Sequence, residues 1–137
     1  MILVSACLAG IKCRYDGKDN ADKKVIEMVK KGIAIPICPE QLGGLQTPRI
    51  PAEIFEDIVL NKKGENVTSQ FKKGAKETLR IAKLANCYKA ILKQSSPSCG
   101  YGKIYDGSHT GRIIEGNGIT AKLLSQKGII ILTEEDL

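Results

Sequence analysis

The chain has no tryptophan, only two phenylalanines and one histidine, and no cysteine pair in a C-x-x-C spacing. So few aromatics leave little material for the stacking platforms of single-stranded nucleic-acid binders. A structural zinc site draws on closely paired ligands, and Cys7 and Cys13 are too far apart for a knuckle while the other cysteines stand alone. No apolar stretch approaches the roughly 20 residues that span a bilayer. The opening residues MILVSACL lack the basic lead and small-residue cleavage site of a secretory signal. The expectation is a cytoplasmic protein with no membrane contact, in a compartment where thiols stay reduced. Internal repeats and low-complexity segments are absent as well.

What is present is compatible with one domain, residues 1–137, large enough to bury a core without disulfide staples. The formal net charge of +6 is dispersed, as on a solvated surface that also steers anionic ligands. Apolar runs alternate with helical patterns, the signature of an α/β sheet. Strands are predicted at 2–6, 33–37, 90–93 and 128–133. Asn20 or Asp22 caps a helix running to about Lys31, with Gly32 as its stop. Thr68 or Ser69 caps the longest helix, with Phe71, Ala75, Thr78, Leu79 and Ala82 on its inner face. A last helix covers 118–126. The segment 39–50 reads as irregular, AEIFEDIVL as a small hairpin, and the Gly-rich stretch 100–118 as a functional loop carrying another.

Five cysteines, an odd number in a reducing compartment, point to metal or catalytic use with some buried as plain apolar residues. Cys7, Cys38 and Cys99 each sit where an apolar run breaks into a loop: VSACLAG, IPICPEQLGG and SSPSCGYG. Strand ends of an α/β sheet converge on one edge, where a crevice forms. Thiolates are soft ligands that select zinc, copper(I) or iron-sulfur clusters. A cluster needs only that its ligands meet in space, and three thiolates on four irons leave one iron open. The plain alternative is that each cysteine packs under a loop as a small apolar residue. Cys87 is read that way, Cys13 is left as a spare thiol near a pocket rim, and His109 in its GSHTG turn is read as solvent-exposed.

A set of longer motifs narrows these alternatives. SACLAG with RYDG, CPEQLGGLQTPR, AEI, LKQSSPSCGYGKIYDGSHTG and GNGITAKLL together resemble the TudS family of thiouracil desulfidases over essentially the whole chain. The resemblance implies a Rossmann-like three-layer α/β sandwich with a mostly parallel central sheet. It implies an oxygen-sensitive 4Fe-4S cluster held by Cys7, Cys38 and Cys99, and non-redox removal of sulfur from 4-thiouracil or 4-thio-UMP. It places the acid/base carboxylate on Glu40 and the catalytic serine on Ser96. Ser5, Arg14, Ser98 and Lys103 are weaker candidates for contacts to the substrate or the cluster, and Arg14, Arg49, Lys103 or Arg112 would meet a nucleotide's phosphate.

With the chain ending at Leu137, a free base or mononucleotide is the expected substrate, ahead of tRNA. Two readings from other classes compete: an iron-sulfur or sulfur carrier without nucleobase chemistry, and a zinc-binding module. The carrier has no use for a carboxylate and a hydroxyl beside the thiols, and the zinc module predicts one metal per chain in an aerobic preparation without brown colour.

Overall fold

The computed structural model describes residues 1–137. In chain order its elements are β1 (Ile2–Ser5), α1 (Lys23–Lys30), β2 (Ala34–Ile37), α2 (Pro39–Leu42), β3 (Ala52–Phe55), β4 (Ile58–Asn61) and α3 (Thr68–Leu84). There follow β5 (Lys89–Leu92), β6 (Tyr101–Tyr105), β7 (Ile113–Asn117), α4 (Ile119–Gln126) and β8 (Ile130–Thr133), with 3-10 turns at Ala6–Ala9 and Glu134–Asp136.

The four uniformly apolar runs form one parallel sheet in the order β2-β1-β5-β8. Such runs, without polar alternation, suit strands covered on both faces. One face packs Leu3, Ala90 and Leu92 against Ala82 of α3 and Ala121 and Leu124 of α4. The other packs Ile2, Val4 and Ile91 against Val25 of α1 and Leu8. Three layers result, as the resemblance implied, and the sheet is wholly parallel. From β1 the chain moves outward to β2 and later returns to the opposite side as β5, so the order reverses between β1 and β5. Ligand crevices in open parallel sheets form at that reversal, beyond the carboxyl ends of the strands.

Two antiparallel hairpins, β3–β4 and β6–β7, stand outside the sheet. They share a smaller core of Ile54, Val59, Phe71 and Ile104.

Local chemistry explains the boundaries. Asp22 caps α1, its Oδ1 accepting the backbone N–H of Lys24 at 2.9 Å and of Val25 at 3.3 Å. At α3 the cap differs from the expectation: Asn66 Oδ1 accepts the N–H of Thr68, which frees Thr68 Oγ1 to accept the N–H of Val59 and tie the helix to β4. The stretch after Cys38 is also more regular than expected. Pro39 opens the single turn α2, where its fixed φ and missing N–H cost nothing. That turn lies on α3 through two glycines: a Cβ on Gly43 would stand 1.9 Å from Gln70 O, and one on Gly74 would stand 1.9 Å from Pro39 O. No helix is long and apolar enough to cross a membrane.

Candidate active site

Parallel register brings the carboxyl ends of β1, β2 and β5 to a common edge: Ser5 lies opposite Ile37, and Val4 opposite Ile91. Cys7 lies in the turn after β1, Cys38 directly follows β2, and Ser96 and Cys99 lie in the turn after β5. Cys7, Cys38 and Cys99 line one cavity of about 550 Å³, and Cys13, Glu40 and Ser96 line it with them. All five cysteines are free thiols. No group of three or more His, Cys, Asp or Glu side chains has the arrangement to hold a metal ion. The thiols of Cys7, Cys38 and Cys99 line one cavity from the ends of three different strands.

Their surroundings set their acidity. Burial pushes the Cys99 thiol well above its ordinary value, with the Glu40 charge adding to the effect and a hydrogen bond from Ser5 opposing it. Cys7 is raised by burial, against a hydrogen bond from Asn20. Cys38 goes the other way, lowered chiefly by hydrogen bonding with the Cys13 thiol, which is raised in exchange. Protonated, Cys38 Sγ lies 3.9 Å from both Cys13 O and Glu40 Oε1 as acceptors; ionised, it accepts from Cys13. Cys38 is thus the thiol of this cavity that most easily becomes thiolate.

Glu40 sits in α2 with its side chain 14% exposed, its Oε2 3.8 Å from Arg49 Nη2. Arg49 also donates to Cys13 O at 3.0 Å, bolting the Cys13 loop to the turn that carries Cys38 and Glu40. Ser96 Oγ accepts two backbone N–H groups, from Ser98 at 3.1 Å and Cys99 at 2.9 Å. With its lone pairs so engaged, the hydroxyl hydrogen remains available to donate into the cavity. Gln94 fixes this turn, its Oε1 accepting the N–H groups of Ser95 and Tyr101.

The weaker candidates divide. Ser5 lines the cavity and accepts the N–H of Lys93 at 2.9 Å. Arg14 lines it too, tied to Asn20 and Asp16. Ser98 does not: it is 1% exposed and its hydroxyl meets that of Thr120. Lys103 points away, exposed and paired with Glu135 at 3.2 Å, and Arg112 is likewise outside the lining. Arg49 is committed to Glu40. Among the cavity's cations, Lys62 has no acidic partner within 4.0 Å. Cys13 lines the cavity, whereas Cys87 is buried in the core beside Ala82.

The GSHTG turn predicts an exposed His109. Its side chain is instead 18% exposed, it lines the cavity, and its Nδ1 lies 3.7 Å from Glu53 Oε2. Glu53 comes from β3, 56 residues away in the chain, and no local pattern announces the pair.

The fold and the cavity define a class: an α/β protein with a cavity at the switch point of a parallel sheet, lined by thiols, a carboxylate and a hydroxyl. The model of the family described as 2-thiouracil desulfurase matches residues 2–136, and the chain belongs to that family. It is 46% identical to the uncharacterized protein YbbK of Bacillus subtilis (strain 168), over all of this chain and 97% of that one. A solved structure, a [4Fe-4S]-dependent thiouracil desulfidase TudS, superimposes with a TM-score of 0.95 at 40% identity, covering 99% of this chain and 91% of the other.

Proposed function

We propose that this protein removes the sulfur of a thiolated uracil, as free base or mononucleotide, by exchange with water, giving the oxo form and hydrogen sulfide. The observation that supports it is the meeting of Cys7, Cys38, Cys99, Glu40 and Ser96 on one cavity in a member of this family. The family description names the 2-thio isomer, and the motif resemblance points to the 4-thio isomer; both isomers belong in the assay.

The donor set suits a 4Fe-4S cluster on Cys7, Cys38 and Cys99, three soft sulfurs that line one cavity from the ends of three strands. When bound, such a cluster supplies a Lewis-acidic iron with a coordination position free for a soft sulfur atom.

The chain's own residues then have defined tasks. Glu40, held by Arg49 beside Cys38, takes a proton from the water that adds to the thiocarbonyl carbon and returns it to the departing sulfur. Ser96, oriented by the two N–H groups it accepts, donates to the oxygen that develops negative charge. A thiocarbonyl and one water become a carbonyl and one hydrogen sulfide, an exchange that balances without an electron acceptor. A carrier of iron-sulfur clusters would share the thiols but has no need of Glu40 and Ser96 at these positions.

Anaerobic reconstitution with iron and sulfide, followed by the loss of thiouracil absorbance, tests the proposal. Glu40→Gln is expected to retain its iron and lose about 10²–10⁴-fold in kcat. Wild-type turnover in Glu40→Gln, or a reconstituted wild type inert toward both thiouracil isomers and their nucleotides, overturns it.

A further inference from the structure

The cavity lining also contains an ionisable pair that the proposed chemistry does not use. Glu53 on β3 is 12% exposed, and its Oε1 accepts the backbone N–H groups of Gly107 at 3.0 Å and His109 at 3.1 Å. One carboxylate therefore fastens the loop joining β6 to β7 onto the other hairpin. The loop has little freedom where it is fastened. Gly107 holds φ +93°, and a Cβ there would stand 2.8 Å from Ile54 O. His109 itself has φ +58°, in the left-handed region that histidine enters more readily than most residues other than glycine.

The result is a lone imidazole, its backbone held by Glu53 and its ring beside the same carboxylate, on the wall of the pocket that also holds the thiols. Nδ1 faces the Glu53 carboxylate at 3.7 Å. Nε2 has no protein partner and is the ring nitrogen left for a ligand. A pyrimidine whose thiocarbonyl is directed at the cysteine end carries further polar groups elsewhere on its ring, its N–H and its second carbonyl. Those groups need a partner once the ring is desolvated, because an unpaired buried polar group costs more than a hydrogen bond returns.

We propose that His109 is the substrate-positioning residue of this pocket, binding the polar edge of the pyrimidine ring through Nε2, with Glu53 acting through it to fix the ring orientation. This rests on the desulfuration reading above and names the contact that would orient its substrate.

Two substitutions separate binding from architecture. His109→Asn keeps a polar atom near the Nδ1 position and a residue type that accepts positive φ, but removes Nε2. His109→Gln reaches the Nε2 position. With reconstituted protein, KM and kcat for thiouracil are measured together with the dissociation constant of uracil by calorimetry. The expectation for His109→Asn is about a tenfold rise in both KM and uracil dissociation constant, with kcat, iron content and melting temperature held. His109→Gln recovers part of the loss. Wild-type KM and uracil affinity in His109→Asn, or weakened binding that comes with a lowered melting temperature, overturns the assignment while leaving desulfuration intact. A wild type that neither turns over thiouracil nor binds uracil overturns the desulfuration reading itself.

Discussion

The sheet and the two hairpins meet across the same cavity but are built on different terms. On the sheet side, Leu3, Val4, Ala90, Ile91 and Leu92 are at most 1% exposed, between helices on both faces. On the hairpin side, four buried apolar residues form the core, and Ile113, Ile114 and Phe55 stay open to solvent. Polar clamps supplement that thin core: Glu53 on Gly107 and His109, and Asn117 Oδ1 accepting the N–H of Gly102 at 2.8 Å. The sheet brings Cys7, Cys38, Cys99 and Ser96 together through topology, since parallel strands must end at one edge. The hairpins supply a wall whose shape is set by a few hydrogen bonds, and such a wall is easily altered without disturbing the thiols.

The largest test of this contrast is Cys99→Ala. It is expected to abolish iron retention and desulfuration together, read by iron analysis and thiouracil absorbance, while circular dichroism shows the fold intact. Cys87→Ala, in the sheet core, is expected to keep both.

Next in size, Leu124→Ala and Ile104→Ala should each cost about 2–5 kcal/mol in their own regions. Hydrogen exchange distinguishes them. Leu124→Ala accelerates exchange throughout the parallel strands, and Ile104→Ala accelerates it in β3, β4, β6 and β7 with the sheet still protected. Equal acceleration of all eight strands in both variants would show that the molecule melts as one unit.

The smallest effect is in thiol reactivity. In iron-stripped protein, Cys38, held below its ordinary value of 9.0 by hydrogen bonding with Cys13, reaches half-maximal alkylation below pH 9.0. Cys87, raised by burial, reaches it above pH 9.0. The linked stability terms have opposite signs. The Cys87 contribution is whole below pH 9.0 and is lost as pH climbs through its folded value; the Cys38 contribution is present above pH 9.0 and is lost as pH falls through its folded value. Mass spectrometry across a pH series reads the order, and simultaneous labelling would contradict it.

The two regions were unequally legible in the chain. Buried parallel strands leave short uniform apolar runs, so ILVS, AIPI, KAIL and IILT stand out, and the loops after three of them carry Cys7, Cys38 and Cys99. The α2 turn was missed although Pro39 signalled it, because 39–50 also contains the punctuation of an irregular loop. Lys103 was misplaced for a simple reason of period. In β6 neighbouring side chains face opposite ways, so with Ile104 turned into the hairpin core Lys103 must face out. Ser98 was drawn inward by Thr120 on α4, a partner 22 residues on. The meeting of Glu53 and His109 depends on how two hairpins dock, and no local pattern records that.

The back-to-back glycines Gly43 and Gly74 put a limit on transplantation. Because the turn bearing Glu40 rests directly on the backbone of α3, with no side chain between them, its height above the sheet is dictated by the helix beneath. Anyone moving this turn into another scaffold must bring a matching notch in the supporting helix, or the carboxylate will not seat at the same height.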